Sequence, residues 1–171
     1  MDQGTVWLAA LGIAGTLAGA LGGPMLQARS ARRQQREQEA IEVRHRLRVD
    51  RQAAFAQFLD QGETVRQGLD RVVRLVLVET SEDRTEAWRT LNAALAAMRR
   101  MTMSVAVYGP ARMGELAEAM HEASVAQADV FRMPDLEADQ RAVQFSEATT
   151  RLQDLRREFI RRAQEAMAPP E

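Results

Sequence analysis

From Gly4 to Ala28 the chain carries no ionisable side chain, and then Arg29, Arg32, Arg33 and Arg36 follow before any acid. This constrains the fold more than any other feature. An uncharged run of about 20 residues matches the thickness of a bilayer core when helical. A buried helix of a soluble domain would instead show a polar face, and the run from Thr5 to Gly23 offers nothing more polar than Thr5 and Thr16. Trp7 near one end suits the membrane–water interface. The favoured expectation is a retained transmembrane anchor over residues 1–27. A cleaved export signal is a second reading, supported by Ala18-Gly19-Ala20 but weakened by the absence of a positive n-region ahead of the apolar run. A buried soluble helix is the third.

Orientation follows from the same arginines. Positive charge flanking a span stays on the cytoplasmic side, so the N-terminus is expected outside the plasma (inner) membrane and the bulk of the chain in the cytoplasm. Arg29, Arg32, Arg33 and Arg36 are read first as a topology determinant and second as a contact for anionic lipid headgroups. Within the span, Gly15, Gly19 and Gly23 recur every four residues, with Gly12 and Gly22 close to the same side. Such a strip lets a second helix approach closely, which makes a homo-oligomer one expectation; chance spacing in an Ala/Gly-rich span is the other.

Beyond the arginines nothing breaks a helix before Val78, because no proline occurs between Pro24 and Pro110. Residues 28–50 are strongly polar, with apolar points only at Ile41, Val43, Leu47 and Val49. They read as a basic helical stalk or a loose coiled coil. From Phe55 onward, Phe58, Leu59, Val65, Leu69, Val72, Val73 and Val76 follow three-and-four spacing, the pattern of one buried face. The segment Glu79 to Glu86 interrupts that pattern and supplies Thr80 and Ser81 as capping residues. A second helix then carries Trp88, Leu91, Leu95, Met98, Thr102, Val105 and Tyr108, and ends at Gly109-Pro110.

The third helix, Ala111 to Phe131, presents Met113, Leu116, Ala117, Met120, Ala123 and Ala128. A last helix presents Val143, Phe145, Leu152, Leu155, Phe159 and Met167. The spacing therefore predicts an all-α chain: a transmembrane helix, a stalk, an antiparallel four-helix bundle over residues 51–167 and a loose tail over 168–171. Few aromatics and many Ala, Leu, Val and Met fit that class, since unbranched side chains lose little freedom in helices.

Chemistry is hard to find in the sequence. There is no cysteine, so disulfides and thiolate sites are excluded. His45 and His121 are the only histidines; His121-Glu122 opens like a zincin motif, but Val125 stands where the second histidine belongs. No phosphate-cradling loop or nucleophile elbow occurs, so no catalytic residue, metal or cofactor is assigned and no enzyme is expected. The net charge is −1, and all 23 basic residues are arginine, which reads as the coding bias of a GC-rich genome more than as a nucleic-acid footprint. Met98, Met101, Met103, Met113, Met120 and Met133 gather on the second and third helices, where core filling is preferred over a flexible docking groove.

"RQAAFAQFLDQGETV" and "MSVAVYGPARMGELAEAM" together resemble a pattern of small, uncharacterised actinobacterial single-pass membrane proteins with a helical cytoplasmic domain. The resemblance implies that Phe55, Phe58 and Leu59 are core residues and that Gly109-Pro110 is a turn; it implies no activity. The functional expectation is a non-enzymatic tether that holds a cytoplasmic interaction bundle at the membrane, with itself or a cytoplasmic protein as partner and no nucleic acid or small-molecule substrate. The alternative is a channel-like oligomer assembled through the glycine strip.

Overall fold

The computed structural model describes the backbone of residues 3–78, 81–133 and 136–168 and the side chains of residues 35–76, 83–133 and 136–168. Its elements are α1 (Gln3–Val78), α2 (Ser81–Tyr108), α3 (Ala111–Asp129) and α4 (Ala138–Met167), with no strand among the described residues. The chain is all-α, as its periodicity predicts. Among the described residues no helix is long and apolar enough to cross a membrane. The side chains of the uncharged run lie outside the described residues, and so does the capping residue Thr80.

The chain divides into two compact units, Met1–Arg46 and Leu47–Glu171. In the described part of the first, the helix is exposed all round, and Ile41 and Val43 are both open to solvent. It is supported by local pairs one turn apart: Arg46 to Glu42 at 2.7 Å and the Arg44 Nε–H donating to the Ala40 carbonyl at 3.2 Å. Such exposed pairs add only tenths of a kcal/mol each.

The second unit is a four-helix bundle in which each neighbour runs opposite to the last. Ascending α1, the partners on α2 descend: Arg51 reaches Tyr108, Gln61 reaches Ala94, and Gly68 lies against Leu91. The seam between α3 and α4 is antiparallel likewise, with Gln127 bonded to Thr149 and Phe131 edge-on to Phe145 at 5.1 Å. The circle closes where α4 meets α1. Phe159 packs on Phe58 with ring centroids 5.1 Å apart and on Phe55 at 5.7 Å in an edge-on arrangement.

The core stripes follow the sequence pattern closely on α1, α2 and α3. Phe55, Phe58, Val65, Leu69, Val72, Leu91, Leu95, Met98, Val105, Met113, Leu116 and Met120 all belong to one cluster of buried side chains. Two expected members point elsewhere: Val143 is 57% exposed and Tyr108 39% exposed. Tyr108 closes the last turn of α2, and its carbonyl is used instead. On α4 only Phe159 and Ala163 are fully buried, and Phe145, Leu152, Leu155 and Met167 pack against the core from partly exposed positions.

Two arginines fasten the ends. Arg51, half-buried on α1, donates its Nε–H to the Tyr108 carbonyl at 3.0 Å and an Nη–H to the Ala166 carbonyl at 3.1 Å. One guanidinium thus satisfies orphan carbonyls at the C-terminal ends of both α2 and α4, where the helix dipoles favour a cation. At the turn that follows α3, Arg132 stacks over the Trp88 ring at 4.9 Å and bonds Asn92 and Asp129.

Gly109 is required for a different reason than a left-handed cap. Its backbone is not left-handed, but a Cβ there would stand 2.7 Å from the Val105 carbonyl oxygen, 3.0 Å from Phe55 and 3.2 Å from Met113. Gly62, by contrast, has room: the nearest atom to an added Cβ is the Met98 methyl at 3.9 Å. Gly109→Ala is expected to destabilise the bundle by about 1–3 kcal/mol through overpacking, whereas Gly62→Ala gains about 1 kcal/mol from helix propensity. Arg51→Met is expected to cost about 2 kcal/mol. Denaturant midpoints of the three variants against the parent chain check the opposite signs and the size of the Arg51 effect.

Candidate functional site

The space beside Gly62 is the mouth of a cavity. Along α1, Leu59, Gly62, Glu63 and Arg66 follow a three-and-four spacing, and along α4 so do Thr149, Leu152, Gln153 and Arg156; the two strips form its rim and upper walls. Met98 from α2 and Met120, Ser124 and Gln127 from α3, all buried, form its floor. The cavity measures about 140 Å³ and is lined from all four helices. It exists because α1 and α4 are held apart by bulky neighbours while Gly62 contributes no side chain. On one side the helices are joined by Phe159 against Phe55 and Phe58; on the other, Val73 and Phe145 line a separate hollow.

Inside, the polar groups are organised. The Ser124 hydroxyl donates to the Met120 carbonyl at 2.9 Å, and the Thr149 hydroxyl donates to the Phe145 carbonyl at 2.7 Å. Thr149 in turn accepts from the Gln127 amide nitrogen at 2.7 Å. Both hydroxyls and one Gln127 N–H donate in this network, while the Gln127 amide oxygen and the Ser124 oxygen keep acceptor capacity. Compared with known protein families, curated proteins and solved structures, the chain matches none. The bundle's chemistry is read from its own residues.

At the rim, Arg66 is committed. It grips Glu63 with both Nε (3.0 and 3.1 Å) and Nη (2.6 Å) and reaches Asp70 at 2.7 Å. Hydrogen bonds from Arg66 and Gln67 hold the Glu63 carboxyl well below its ordinary value, at about 2, aided by the fields of Arg66 and Arg156. On α4, Arg161 and Arg162 hold the Glu158 carboxyl at about 2 in the same way. Arg156 makes no hydrogen bond or ion pair with any described residue and stands exposed at the mouth.

The residues singled out from sequence fall elsewhere. Gly12, Gly15, Gly19 and Gly23, and with them Arg29, Arg32 and Arg33, lie outside the described residues. Arg36 is exposed on the first unit. His45 is exposed and His121 half-buried, and no group of three or more His, Asp or Glu side chains suited to a metal ion occurs among the described residues. Of the methionines, Met98, Met113 and Met120 fill the core, and Met103 and Met133 are exposed. Sequence reasoning missed the cavity. Its one legible signal is Ser124 and Gln127, one turn apart on a face otherwise made of Ala, Met and Leu116.

Because the folded carboxyls of Glu63 and Glu158 sit below the unfolded value near 4.5, their contribution to stability is present above that pH and disappears as pH falls toward 2. Both are exposed enough that solvent screens the effect. Thermal melts between pH 6 and pH 2 should show an acid limb over that window. The limb should be shallower in Glu63→Gln, which has no proton to take up.

Proposed function

We propose that the chain is a single-pass membrane protein in which the N-terminal apolar segment tethers a non-enzymatic helical interaction bundle on the cytoplasmic face. The observation that carries this reading is the uncharged run ended by four arginines before any acid. Tethering restricts whatever binds the bundle to the membrane surface and raises its effective concentration there. Antiparallel helices with short connections suit a scaffold of this kind.

The glycine spacing favours a second reading, a multimeric assembly built through Gly12, Gly15, Gly19 and Gly23, with a homo-oligomer as the working form.

The chain is free of cysteine, so single introduced thiols report topology cleanly. In intact cells, Gln3→Cys should react with a membrane-impermeant maleimide and Ala168→Cys only after lysis, with the protein retained in alkali-washed membranes. Recovery in the soluble fraction, or equal labelling of both thiols, would sink the tether. Light scattering in detergent separates the second reading: Gly19→Leu should reduce the mass if the glycine strip assembles the protein and leave it unchanged otherwise.

A further inference from the structure

Bundle cores of ordinary sequence are filled, and a space of 140 Å³ left open beside a helical glycine calls for a reason. A cavity of this size in another protein's apolar core accommodates a benzene ring. Here the walls are graded. Leu59, Met98, Met120 and Leu152 offer an apolar girdle, the Gln127 amide oxygen and Ser124 oxygen offer acceptors at depth, and Arg156 offers an unpaired cation at the mouth. Arg66 is occupied by Glu63 and Asp70, whereas Arg156 meets the Glu63 carboxylate only through its field and makes no hydrogen bond or ion pair with a described residue, so its N–H donors are open to an incoming anion.

We infer that the cavity between α1 and α4 binds a small amphipathic carboxylate, a hydroxyaryl acid of about the bulk of hydroxybenzoate. Its carboxylate lies at the rim beside Arg156, its ring lies in the girdle of Leu59, Leu152 and the two methionines, and its hydroxyl points toward Gln127 and Ser124. Each end meets a group with bonding capacity to spare: the Arg156 guanidinium at the rim, and the acceptor oxygens of Gln127 and Ser124 at depth. A guanidinium bonds a carboxylate more strongly than it bonds a neutral acceptor, and a buried acceptor rejects a ligand that brings it no donor. Methionines adapt to the outline of a ring, which suits a floor that must serve both empty and occupied states. The ligand would bridge the one seam of the bundle that joins its first and last helices. Occupancy therefore stabilises the closed bundle and gives a tethered module something to sense. This site is independent of the membrane placement, because every lining residue belongs to the unit Leu47–Glu171.

The test is a titration of the full-length chain, labelled with ¹³C at the methionine methyls. It is held in lipid nanodiscs, or in buffer if the chain proves soluble. The ligands are 4-hydroxybenzoate, benzoate and phenol. Saturable shifts of the Met98 and Met120 methyls with 4-hydroxybenzoate, with Met133 still, are expected. Arg156→Gln should weaken that binding about tenfold, the loss of one charge-assisted contact, and leave phenol binding unchanged. Benzoate should bind more weakly than 4-hydroxybenzoate.

Gly62→Leu, which fills the cavity, should abolish the shifts. The unperturbed Met113 methyl shows that this variant is folded, and Gly62→Val, a smaller filling side chain at the same position, serves as a second blocking variant if it is not. Absence of a saturable shift up to about 10 mM, where affinity is too weak to be specific, overturns the site. So do shifts of equal size at Met133. Phenol binding as tightly as the acid, or an unchanged affinity in Arg156→Gln, overturns the carboxylate assignment.

Discussion

Everything in the bundle rests on the closure of α4 against α1 by one aromatic side chain. The other seams join helices adjacent in the chain, where a short connection already brings the partners together and little loop entropy is lost. The α1–α4 seam has no such help, because its residues are separated by nearly the whole bundle. Phe159 supplies the missing drive by burying itself fully against Phe55 and Phe58. Three of the chain's five phenylalanines are spent on this contact, in a protein otherwise built from small and aliphatic side chains. Arg51 then fixes the register at the same end by bonding carbonyls of α2 and α4 together.

The same seam carries the cavity, and the two features are connected. A large aromatic contact sets the spacing of α1 and α4, and the next two turns must bridge that spacing with whatever side chains lie there. At Gly62 there is none, while Leu59 and Leu152 remain only partly buried at the edges. A mid-helix glycine weakens α1 by about 1 kcal/mol relative to alanine. Close approach demands the glycines at positions 109 and 114, where added Cβ atoms would meet Val105 and Ala106 at 2.7 and 3.1 Å. At Gly62 the open slot is the only structural consequence of leaving out a side chain.

The pattern of apolar residues made three helices of the bundle legible because a helix repeats its buried face every three or four positions whatever it packs against. The stripes on α1, α2 and α3 are accordingly found where their spacing predicts. α4 is less legible. It lies on the outside of the seam with only Phe159 and Ala163 fully covered, so Val143 satisfies the period without being buried. Gly109 shows a second kind of limit. Its place before Pro110 marks a helix end correctly, yet what demands glycine there is a close approach on two sides, the Val105 carbonyl one turn back at 2.7 Å and Phe55, far away in the chain, at 3.0 Å. The cavity was illegible for the same reason: a glycine, two leucines, two methionines and a few polar residues from four helices have no local pattern in common.

By itself, the sequence determined the all-helical class, the breaks between elements and the faces that turn inward, since these depend on local propensity and periodicity. It also determined the charge pattern on which the membrane proposal rests, because charge near an apolar run is a property of the chain before it folds. Only the tertiary structure decided which helices close the ring, that Arg51 joins two helix ends, that Arg66 is engaged while Arg156 is free, and that a space remains beside Gly62. These depend on distances between residues remote in sequence, and such distances follow from how side-chain volumes fit together across the bundle.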